Sequence, residues 1–328
     1  MTKEVIARRV VVISTSYPSA TDDAAGHFVQ SEVRRIVSEG CEVTVIAPQS
    51  RRIRDQDGAR IVEIPHWGAF GPPGALSRLR WRPDRWLGVI LFVFLARRAL
   101  RKFGPFDAGI AHFIVPSFWP ICSAFSAPLE IVIHGSDLRL VESLPHFLRS
   151  LVLGGLQDAK TTVRCVSREL ADRLSRLFHG RLAPRIRVEI SPIDVHVELT
   201  RSELRKMHGI GPERLVIIAA RLVPSKRVDV ALQAAALLPG ARVVVCGDGP
   251  ESRRLKKRFP TATFLGKLPR HQMLEWIAAA DLLLCASRDE GAPSVVREAR
   301  TLGIPVVATA AGDLEKWAET DAGLRVVP

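Results

Sequence analysis

The sequence predicts an α/β fold with two successive domains, because strand-like and helix-like patterns alternate along it in two series. The first series opens with an apolar run over residues 9–15, followed by helical spacing of apolar residues from His27 to Glu39 and a second apolar run at Glu42–Ala47. A strand, a helix and a strand in this order form a βαβ unit, whose strands are parallel. Further strands of this series are predicted at Ile61–Ile64, Ala108–Ala111, Glu130–Ile133 and Thr162–Cys165.

The second series begins after the pattern weakens around Ile193–Glu203. Its predicted strands, with helices such as Val228–Leu238 and Met273–Ala280 between them, are Leu215–Ala220, Ala241–Cys246, Thr261–Leu265, Asp281–Cys285, Ile304–Ala308 and Leu324–Val327. We therefore predict one domain over residues 1–195 and another over residues 196–328. Open parallel sheets bind ligands at the loops that follow their strands, so we expect a ligand cleft between the two domains.

The composition describes a folded protein with an excess of basic residues. Of the 328 residues, 47% are hydrophobic and 25% are charged, and the net charge is +13. This charge favours acidic partners such as nucleic acid, anionic lipid or a phosphorylated substrate, or else it is simply solvated arginine. Because no nucleic-acid-binding motif accompanies it, we expect no nucleic-acid partner. The odd number and wide spacing of the cysteines indicate reduced thiols in a cytoplasmic protein; they are Cys41, Cys122, Cys165, Cys246 and Cys285.

The segment Leu76–Lys102 combines an apolar stretch with basic flanks. Residues 78–102 contain eight Lys or Arg residues and one acidic residue, Asp84. The apolar run Trp86–Ala96 is too short to span a bilayer. We favour a buried helix with basic ends, and the alternative is a face rich in Arg and Trp that lies on anionic lipid at the inner side of the membrane.

The stretch Ser287–Thr309 is the strongest candidate for a binding site. It predicts a polar loop, a helix over Ser294–Leu302 with Ser294 as a possible N-cap, and a buried strand. The N–H groups and the positive dipole at the start of such a helix bind anions such as phosphate. Glu290 and Glu298 lie on either side of this point. Acidic groups beside an anion site suit a ligand with phosphate on one side and hydroxyl groups on the other, which describes a nucleotide-sugar.

Three other loops follow predicted strands. Gly26 lies in the loop after the first strand and is either a ligand-loop residue or a plain turn glycine. His134 directly follows Glu130–Ile133 in the sequence His-Gly-Ser-Asp, where an imidazole can face a sugar or a leaving group or can be purely structural. Arg221 and Lys226 follow the strand Leu215–Ala220 and could stabilise a diphosphate. The alternative is that an Arg and a Lys five residues apart are simply a solvated pair on the surface.

Other common catalytic arrangements are missing from the sequence. We find no Ser-His-Asp arrangement, no HExxH motif and no metal-ligand cluster, and we interpret Asp22 and Asp23 as turn acids. No metal ion or other cofactor is therefore expected.

Together these residues resemble the GT-B glycosyltransferases of family 4, a large retaining group. The resemblance is strongest over Leu215–Val327, in AARLVPSKRVDVALQAAALL, VVVCGDGPE, FLGKLPRHQM and AADLLLCASRDEGAPSVVREARTLGIPVVAT. The spacing from Glu290 to Glu298 fits the E-x7-E motif of that family. The first half matches more loosely, through GHFVQSEVRRIVSEGCEVTVIAP, IHGSD and CVSREL.

The resemblance implies a role for each candidate residue of the second half. Arg221 and Lys226 are expected to bind the donor diphosphate, Glu298 the ribose hydroxyls and Glu290 the donor sugar ring. The backbone amides of the segment Ala292, Pro293, Ser294 and Val295 are expected to meet the phosphate or the sugar.

The remaining implied roles are spread over both halves. Gly247 and the turn Phe264–Lys267, which includes Leu265, are expected near the base. His134 is expected beside the anomeric carbon as a catalytic residue together with Glu290. Gly26 is expected on a loop that faces the donor phosphate and the acceptor.

The resemblance also implies the architecture and the reaction. Two Rossmann-like domains would face a cleft and transfer a sugar with retention, without a metal ion, from a UDP- or GDP-sugar to a glycan or lipid-linked acceptor of surface polysaccharide or glycolipid synthesis. Family members usually end in a helix that crosses back to the first domain, and no such helix follows Val327 in this sequence. The alternatives are a nucleotide-sugar epimerase of GT-B fold and a truncated, non-catalytic binding protein.

Overall fold

The computed structural model describes residues 8–19, 23, 25–49, 52–71, 78–79, 82–121, 125–179 and 185–328. Three residues named above, Asp22, Leu76 and Cys122, lie outside these ranges. The chain divides into two compact units, and the boundary between them falls between Pro192 and Ile193. Each unit is built on its own sheet.

The first unit contains an eight-stranded sheet whose strands are β1 (Arg9–Ser14), β2 (Glu42–Pro48), β3 (Ile53–Gln56), β4 (Ala59–Ile64), β5 (Ala108–His112), β6 (Leu129–Ile133), β7 (Thr161–Cys165) and β8 (Ile186–Val188). Their spatial order is β3-β4-β2-β1-β5-β6-β7-β8, and only β3 and β4 pair in antiparallel fashion. Among the described residues of this unit, the α-helices are α1 (His27–Ser38), α2 (Trp86–Phe103), α3 (Ser136–Ser143), α4 (His146–Leu156) and α5 (Arg168–Leu177).

The second unit contains a six-stranded parallel sheet whose strands are β9 (Leu215–Ala219), β10 (Arg242–Cys246), β11 (Thr263–Gly266), β12 (Leu282–Cys285), β13 (Val306–Thr309) and β14 (Leu324–Val327). Their spatial order is β11-β10-β9-β12-β13-β14. The α-helices are α6 (Arg201–Met207), α7 (Val228–Ala235), α8 (Ser252–Arg258), α9 (Arg270–Ala279), α10 (Ser294–Thr301) and α11 (Leu314–Ala318).

The interiors of β1 and β9 are apolar because both faces of each sheet are covered. In β1, Val11 and Ile13 belong to one hydrophobic cluster, whereas Val10 and Val12 belong to another. Strand β9 divides its side chains between two clusters in the same way. Successive side chains of a strand point to opposite faces, so a strand buried on both sides has no polar alternation.

The predicted α/β architecture is confirmed, and the differences lie at the sheet edges. Strands β3 and β8 were not predicted from the sequence, because an edge strand buries little surface and lacks a strong apolar pattern. The helix predicted from Ser294 is present. Ser294 is, however, its first residue rather than its N-cap, and no side-chain cap is found for α10 within the described structure.

In each sheet, the strands that follow the first strand in the chain are added first on one side of it and then on the other. The chain builds outward from β1 through β2 to β4 and then continues at β5 on the other side of β1. In the second sheet it builds from β9 to β11 and continues at β12 on the other side of β9. The loops after the two flanking strands separate at such a switch point and leave a crevice in which open α/β sheets bind ligands.

Helix α2 is buried on one face only, so the favoured prediction of a buried helix is half correct. Val89, Phe92 and Ala96 pack into the core of the first unit. The opposite face exposes large apolar side chains of the N-terminal half, followed by basic residues of the C-terminal half. In the part of the chain that the structure describes, no helix is both long and apolar enough to cross a bilayer.

Gly247, at the end of β10, is expected to be essential for the second unit. Its φ of +138° disfavours other residues, and a Cβ there would lie 1.9 Å from the carbonyl oxygen of Ala220. Gly240 also has a positive φ, of +71°, but nothing lies within 4 Å of its virtual Cβ. Gly247→Ala should therefore lower the free energy of unfolding by about 1–3 kcal/mol more than Gly240→Ala. Urea denaturation of both variants measures the difference, and equal losses would contradict the close approach.

Candidate functional site

The loops at the switch point of the second sheet are joined to each other. Lys226, in the loop after β9, forms an ion pair with Glu290, in the loop after β12, and their side chains are 17% and 13% exposed. The Arg288 N–H donates to the Ser225 carbonyl oxygen at 2.9 Å. The Arg227 Nε donates to the Ala286 carbonyl oxygen at 2.7 Å. The sequence-predicted residues Lys226 and Glu290 are therefore in direct contact, and Arg221 lies exposed at the start of the same loop.

The N-terminus of α10 follows the Glu290 loop directly. Ala292 and Ser294 are half-buried, and Pro293 occupies the position before the first helical residue. Gly312 packs directly against the backbone of the Glu290 loop. A Cβ at this position would lie 2.7 Å from the carbonyl oxygens of Glu290 and Gly291. The first N–H groups of α10 have no partner within the helix itself, so this end has the chemistry of an anion site.

Glu298 lies one turn inside α10 and is fully buried, with Arg270 as its counter-charge. The Arg270 Nη1 donates to Glu298 Oε1 at 2.6 Å, and its Nη2 donates to the Asp194 carbonyl oxygen at 2.6 Å. Beside it, burial lowers the pKa of Arg297, and the Glu298 charge opposes that shift. Because the side chain of Glu298 is only 1% exposed, a ribose hydroxyl reaches this carboxylate only if part of its cover moves.

The two residues predicted near the base have mainly backbone roles. Gly247 follows β10, and its N–H donates to the Gly266 carbonyl oxygen at 2.7 Å. The side chain of Leu265 is partly buried against the core. Gly247 thus allows the chain to pass close to β9, while Leu265 offers a ligand chiefly the backbone of its turn.

In the first unit, His134 lies directly after β6 within a group of aromatic rings. The ring centroids of Phe28 and Phe113 are 4.7 Å and 4.8 Å from that of His134. Its Nε2 is 3.0 Å from Nδ1 of His112, the last residue of β5, and the two imidazoles stack at 18°. Strands β5 and β6 are neighbours, so the sheet itself brings these two histidines together.

Asp137 holds the turn that presents His134. The N–H groups of His134 and Gly135 donate to Asp137 Oδ1 at 3.1 and 2.8 Å, and the Ile114 N–H donates to Oδ2 at 3.1 Å. Burial raises the pKa of Asp137, and these backbone hydrogen bonds oppose the shift. The Gly-Ser-Asp that follows His134 is thus a structural cap for the loop.

The two histidines are held neutral. Burial lowers the pKa of His112 to about 3, with the nearby Arg164 guanidinium adding to the effect. Burial, followed by the His112 and Arg164 charges, lowers the pKa of His134 well below its ordinary value. A protonated imidazole at either position is therefore disfavoured near neutral pH.

Gly26 lies at the start of α1, in the loop after β1. Its φ is +78°, and a Cβ would lie 2.4 Å from the carbonyl oxygen of Ser16. The glycine is required by this close approach of two backbone segments. Whether it also faces a ligand stays a prediction.

The sequence did not predict Arg270 as the partner of Glu298 or His112 as the partner of His134. It also did not predict the buried ion pair between Glu32 and Arg164, which lies behind His112. Arg270 and Glu298 are 28 residues apart, and His112 and His134 are 22 apart, so no local motif joins them. A usable signal existed for His112, which is a polar residue at the carboxyl end of a predicted strand. Among the residues that the structure describes, no group of three or more His, Cys, Asp or Glu side chains could hold a metal ion.

Comparisons with known proteins identify the second unit. Residues 200–323 match the family described as Glycosyl transferases group 1. TuaC of Bacillus subtilis (strain 168), a putative teichuronic acid biosynthesis glycosyltransferase, is 27% identical over 330 residues, which cover 93% of this chain and 81% of that protein.

Solved structures identify the fold of the whole chain. Sucrose-phosphate synthase from Thermosynechococcus elongatus matches with a TM-score of 0.75 and 16% identity, covering 98% of this chain and 86% of the other. Anabaena HepE, solved in complex with UDP and glucose, matches with a TM-score of 0.65 and 17% identity, covering 94% and 82%. The chain therefore has the GT-B glycosyltransferase fold, and its residues 200–323 are similar to the glycosyl transferases group 1 family.

Proposed function

We propose that the protein is a retaining hexosyltransferase, similar to family 4, that transfers a sugar from a nucleoside diphosphate sugar to a growing surface polysaccharide or glycolipid. The observation that carries this proposal is the arrangement at the second switch point. There the group 1 domain brings Lys226, Glu290 and the N-terminus of α10 together. The name of TuaC, which refers to teichuronic acid biosynthesis, supports a polysaccharide product.

The chemistry of this arrangement suits a departing diphosphate. Lys226 and Arg221 supply positive charge, and the N–H groups of Ser294 and Val295 supply fixed donors where negative charge develops on the leaving group. Donor binding requires Lys226 to exchange Glu290 for phosphate oxygens. That exchange releases the Glu290 carboxylate to accept hydrogen bonds from the hydroxyl groups of the donor sugar.

The carboxylates are better suited to hydroxyl binding than to nucleophilic attack. Glu298 is held by Arg270, and a buried carboxylate in an ion pair is a weak nucleophile. Glu290, once Lys226 has exchanged it for phosphate, accepts hydrogen bonds from the sugar hydroxyl groups. We therefore propose that Glu298 binds the ribose and Glu290 the sugar ring. Transfer with retention then proceeds without a covalent intermediate on the protein, and the donor is a UDP- or GDP-sugar.

We further propose that the acceptor lies at an anionic membrane surface, on which the exposed face of α2 docks. We call the exposed apolar side chains of this region the apolar patch. It consists of Trp67, Trp86, Leu87, Ile90 and Phe94, each between 47% and 67% exposed. Trp67 is not part of α2, but its neighbour His66 packs closely against the helix. A Cβ added to Gly88 of α2 would lie only 2.0 Å from the His66 carbonyl oxygen.

The charge around the apolar patch supports anionic lipid as the proposed partner. The same helix continues with four basic residues, Arg97, Arg98, Arg101 and Lys102, while the acid Asp84 before it is paired with Arg82. Apolar side chains followed by basic ones match the acyl and headgroup layers of a bilayer. Each basic residue close to an anionic surface adds about 1 kcal/mol of binding free energy.

Turnover tests the reaction itself. Purified protein incubated with UDP- and GDP-sugars and membrane lipid or glycan fractions should release the nucleoside diphosphate and form a glycoside. NMR of that product should show the anomeric configuration of the donor. Inversion would contradict the retaining mechanism, a changed sugar epimer without transfer would favour the epimerase, and binding without turnover would favour a non-catalytic protein.

Two substitutions should separate the diphosphate from the ribose contacts. Arg221→Ala should weaken binding of both UDP and pyrophosphate, because it removes charge from the phosphate site. Glu298→Gln should weaken binding of UDP but not of pyrophosphate, which has no ribose. Loss of a hydrogen bond to a charged group costs about 1.5–3 kcal/mol, so calorimetry should show roughly 10- to 100-fold weaker binding.

Matched controls keep the comparison specific. Arg253→Ala and Glu319→Gln change exposed residues of the same unit that lie outside the site, and neither should alter affinity. If Glu298→Gln left UDP binding unchanged, the ribose assignment would be wrong. GDP is titrated in parallel, because either base is consistent with the site.

Vesicle cosedimentation tests the membrane proposal. The protein should bind phosphatidylcholine vesicles that contain phosphatidylglycerol and should bind pure phosphatidylcholine much less. Ile90→Ser with Phe94→Ser should weaken binding at least about tenfold, because each apolar side chain contributes roughly 1.5–3 kcal/mol when fully buried. Leu237→Ser, at a position 82% exposed in the second unit, is the control. No vesicle binding, or a dimer lost in the double variant, would identify a protein partner instead.

A further inference from the structure

A series of buried polar groups lies behind His134 in the first unit. His112 is completely buried and separates His134 from Glu32, a residue of α1 that is also completely buried. On one side, His112 Nδ1 is 3.0 Å from His134 Nε2. On the other side, His112 Nε2 is 3.7 Å from Glu32 Oε2. These last two atoms are buried and have no hydrogen-bond partner within the described residues, so the two unsatisfied atoms face each other at this distance.

Arg164 fixes the electrostatics at the far end of this series. Its guanidinium forms an ion pair with Glu32 Oε1, and both side chains are only 1% exposed. An arginine remains protonated in proteins, so its partner here is a carboxylate, which only accepts hydrogen bonds. Burial raises the pKa of Glu32, and Arg164 opposes that shift. Because the Arg164 guanidinium donates to Glu32 Oε1, this ion pair favours the carboxylate form, whose second oxygen, Oε2, faces His112 as an acceptor.

The position of each proton follows from this acceptor. A neutral imidazole has one N–H donor and one lone pair. His112 avoids directing a lone pair at the Glu32 carboxylate if its proton is on Nε2, which leaves Nδ1 as the acceptor. The 3.0 Å contact then requires that His134 donates from Nε2, and the lone pair of His134 is on Nδ1.

We propose that Glu32 and His112 are positioning residues that hold His134 in the Nε2–H tautomer, so that its Nδ1 accepts a hydrogen bond from a ligand hydroxyl. The tautomer rests only on the contacts within the first unit. The identity of the hydroxyl group as that of the donor sugar rests on the proposed function. In this arrangement His134 is not a general acid, because the nitrogen that it offers to a ligand carries no proton.

The rings around His134 favour the same tautomer. Phe28 and Phe113 pack against its imidazole and offer no alternative acceptor for the Nε2 proton. His112 Nδ1, at 3.0 Å, is the polar atom that the structure places there. The orientation of the ring is thus set by packing, and its proton is placed by one hydrogen bond.

Nitrogen NMR of the protein labelled with ¹⁵N tests the assignment without any substrate. Spectra that correlate ring nitrogens with ring carbon-bound protons should show a protonated Nε2 on His134 and an unprotonated Nδ1 on His112. A nitrogen–nitrogen coupling across the hydrogen bond should join the two. A proton on His112 Nδ1 with an unprotonated His134 Nε2 would overturn the proposal, whether or not the protein proves to be a transferase.

Two carboxyl variants separate positioning from general stability. Glu32→Gln removes the acceptor-only group that faces His112 and should allow the proton between the histidines to reverse in part of the population. Glu189→Gln changes another carboxylate near Arg164, at 3.9 Å and half exposed, and should leave the tautomers unchanged. Identical spectra for both variants would contradict the role of Glu32. If Glu32→Gln does not fold, the wild-type spectrum alone decides.

Substitution of His112 provides a rescue experiment. His112→Phe removes the acceptor, whereas His112→Asn can present its side-chain oxygen in place of Nδ1. We expect the protonated Nε2 signal of His134 to be lost in the first variant and retained in the second. In the turnover assay, kcat should fall at least tenfold for His112→Phe with little change in donor KM, and His112→Asn should recover most of it. Loss of kcat to the same extent in both variants would argue for a structural role only.

Discussion

The topology of the two parallel sheets is the constraint that determines where every candidate residue lies. Each sheet starts in its middle, grows outward and then continues on the other side of its first strand. The loops that follow the neighbouring strands β9 and β12 therefore leave the same edge of the sheet, where Lys226 forms an ion pair with Glu290. In the first unit the same rule places Gly26 after β1, and His112 and His134 at the ends of neighbouring strands. Side chains far apart in sequence become neighbours without any local motif.

Glycine makes these crowded loops possible. Gly247 lets the end of β10 pass the Ala220 carbonyl oxygen, Gly312 lets a loop rest on the backbone of Glu290, and Gly26 lets α1 begin against Ser16. A side chain at any of these positions would occupy space already filled by backbone atoms. The loops can therefore present N–H groups at close range to a ligand, which is the usual reason for glycine beside a phosphate site. The price is backbone entropy, which the buried strands on either side offset.

The sequence was sufficient for the elements buried on both faces and insufficient for what depends on tertiary contact. The runs at β1 and β9 predicted strands because Val10–Ile13 and all of β9 are apolar. Strands β3 and β8 were missed because edge position, not composition, makes them strands. Glu290, Arg221 and Lys226 could be named as candidates because they follow strands, and Glu298 because it lies about one turn inside the next helix; their roles stay predictions. Arg270 could not, since it looks like any exposed arginine at the start of a helix until Glu298 is placed against it.

The candidate groups of the two units differ in charge, and this difference is consistent with the proposed transfer of a glycosyl group. Loss of a diphosphate leaves negative charge on one side, which Lys226, Arg221 and the α10 terminus can stabilise. It leaves positive charge on the sugar ring, as in the oxocarbenium-like transition states of glycosyl chemistry. A protonated histidine near that ring would raise the barrier. Burial and Arg164 lower the pKa of both His112 and His134, so the imidazole offered to a hydroxyl is neutral at the pH where the reaction would run. A neutral acceptor can bind the sugar without opposing the charge that forms on it.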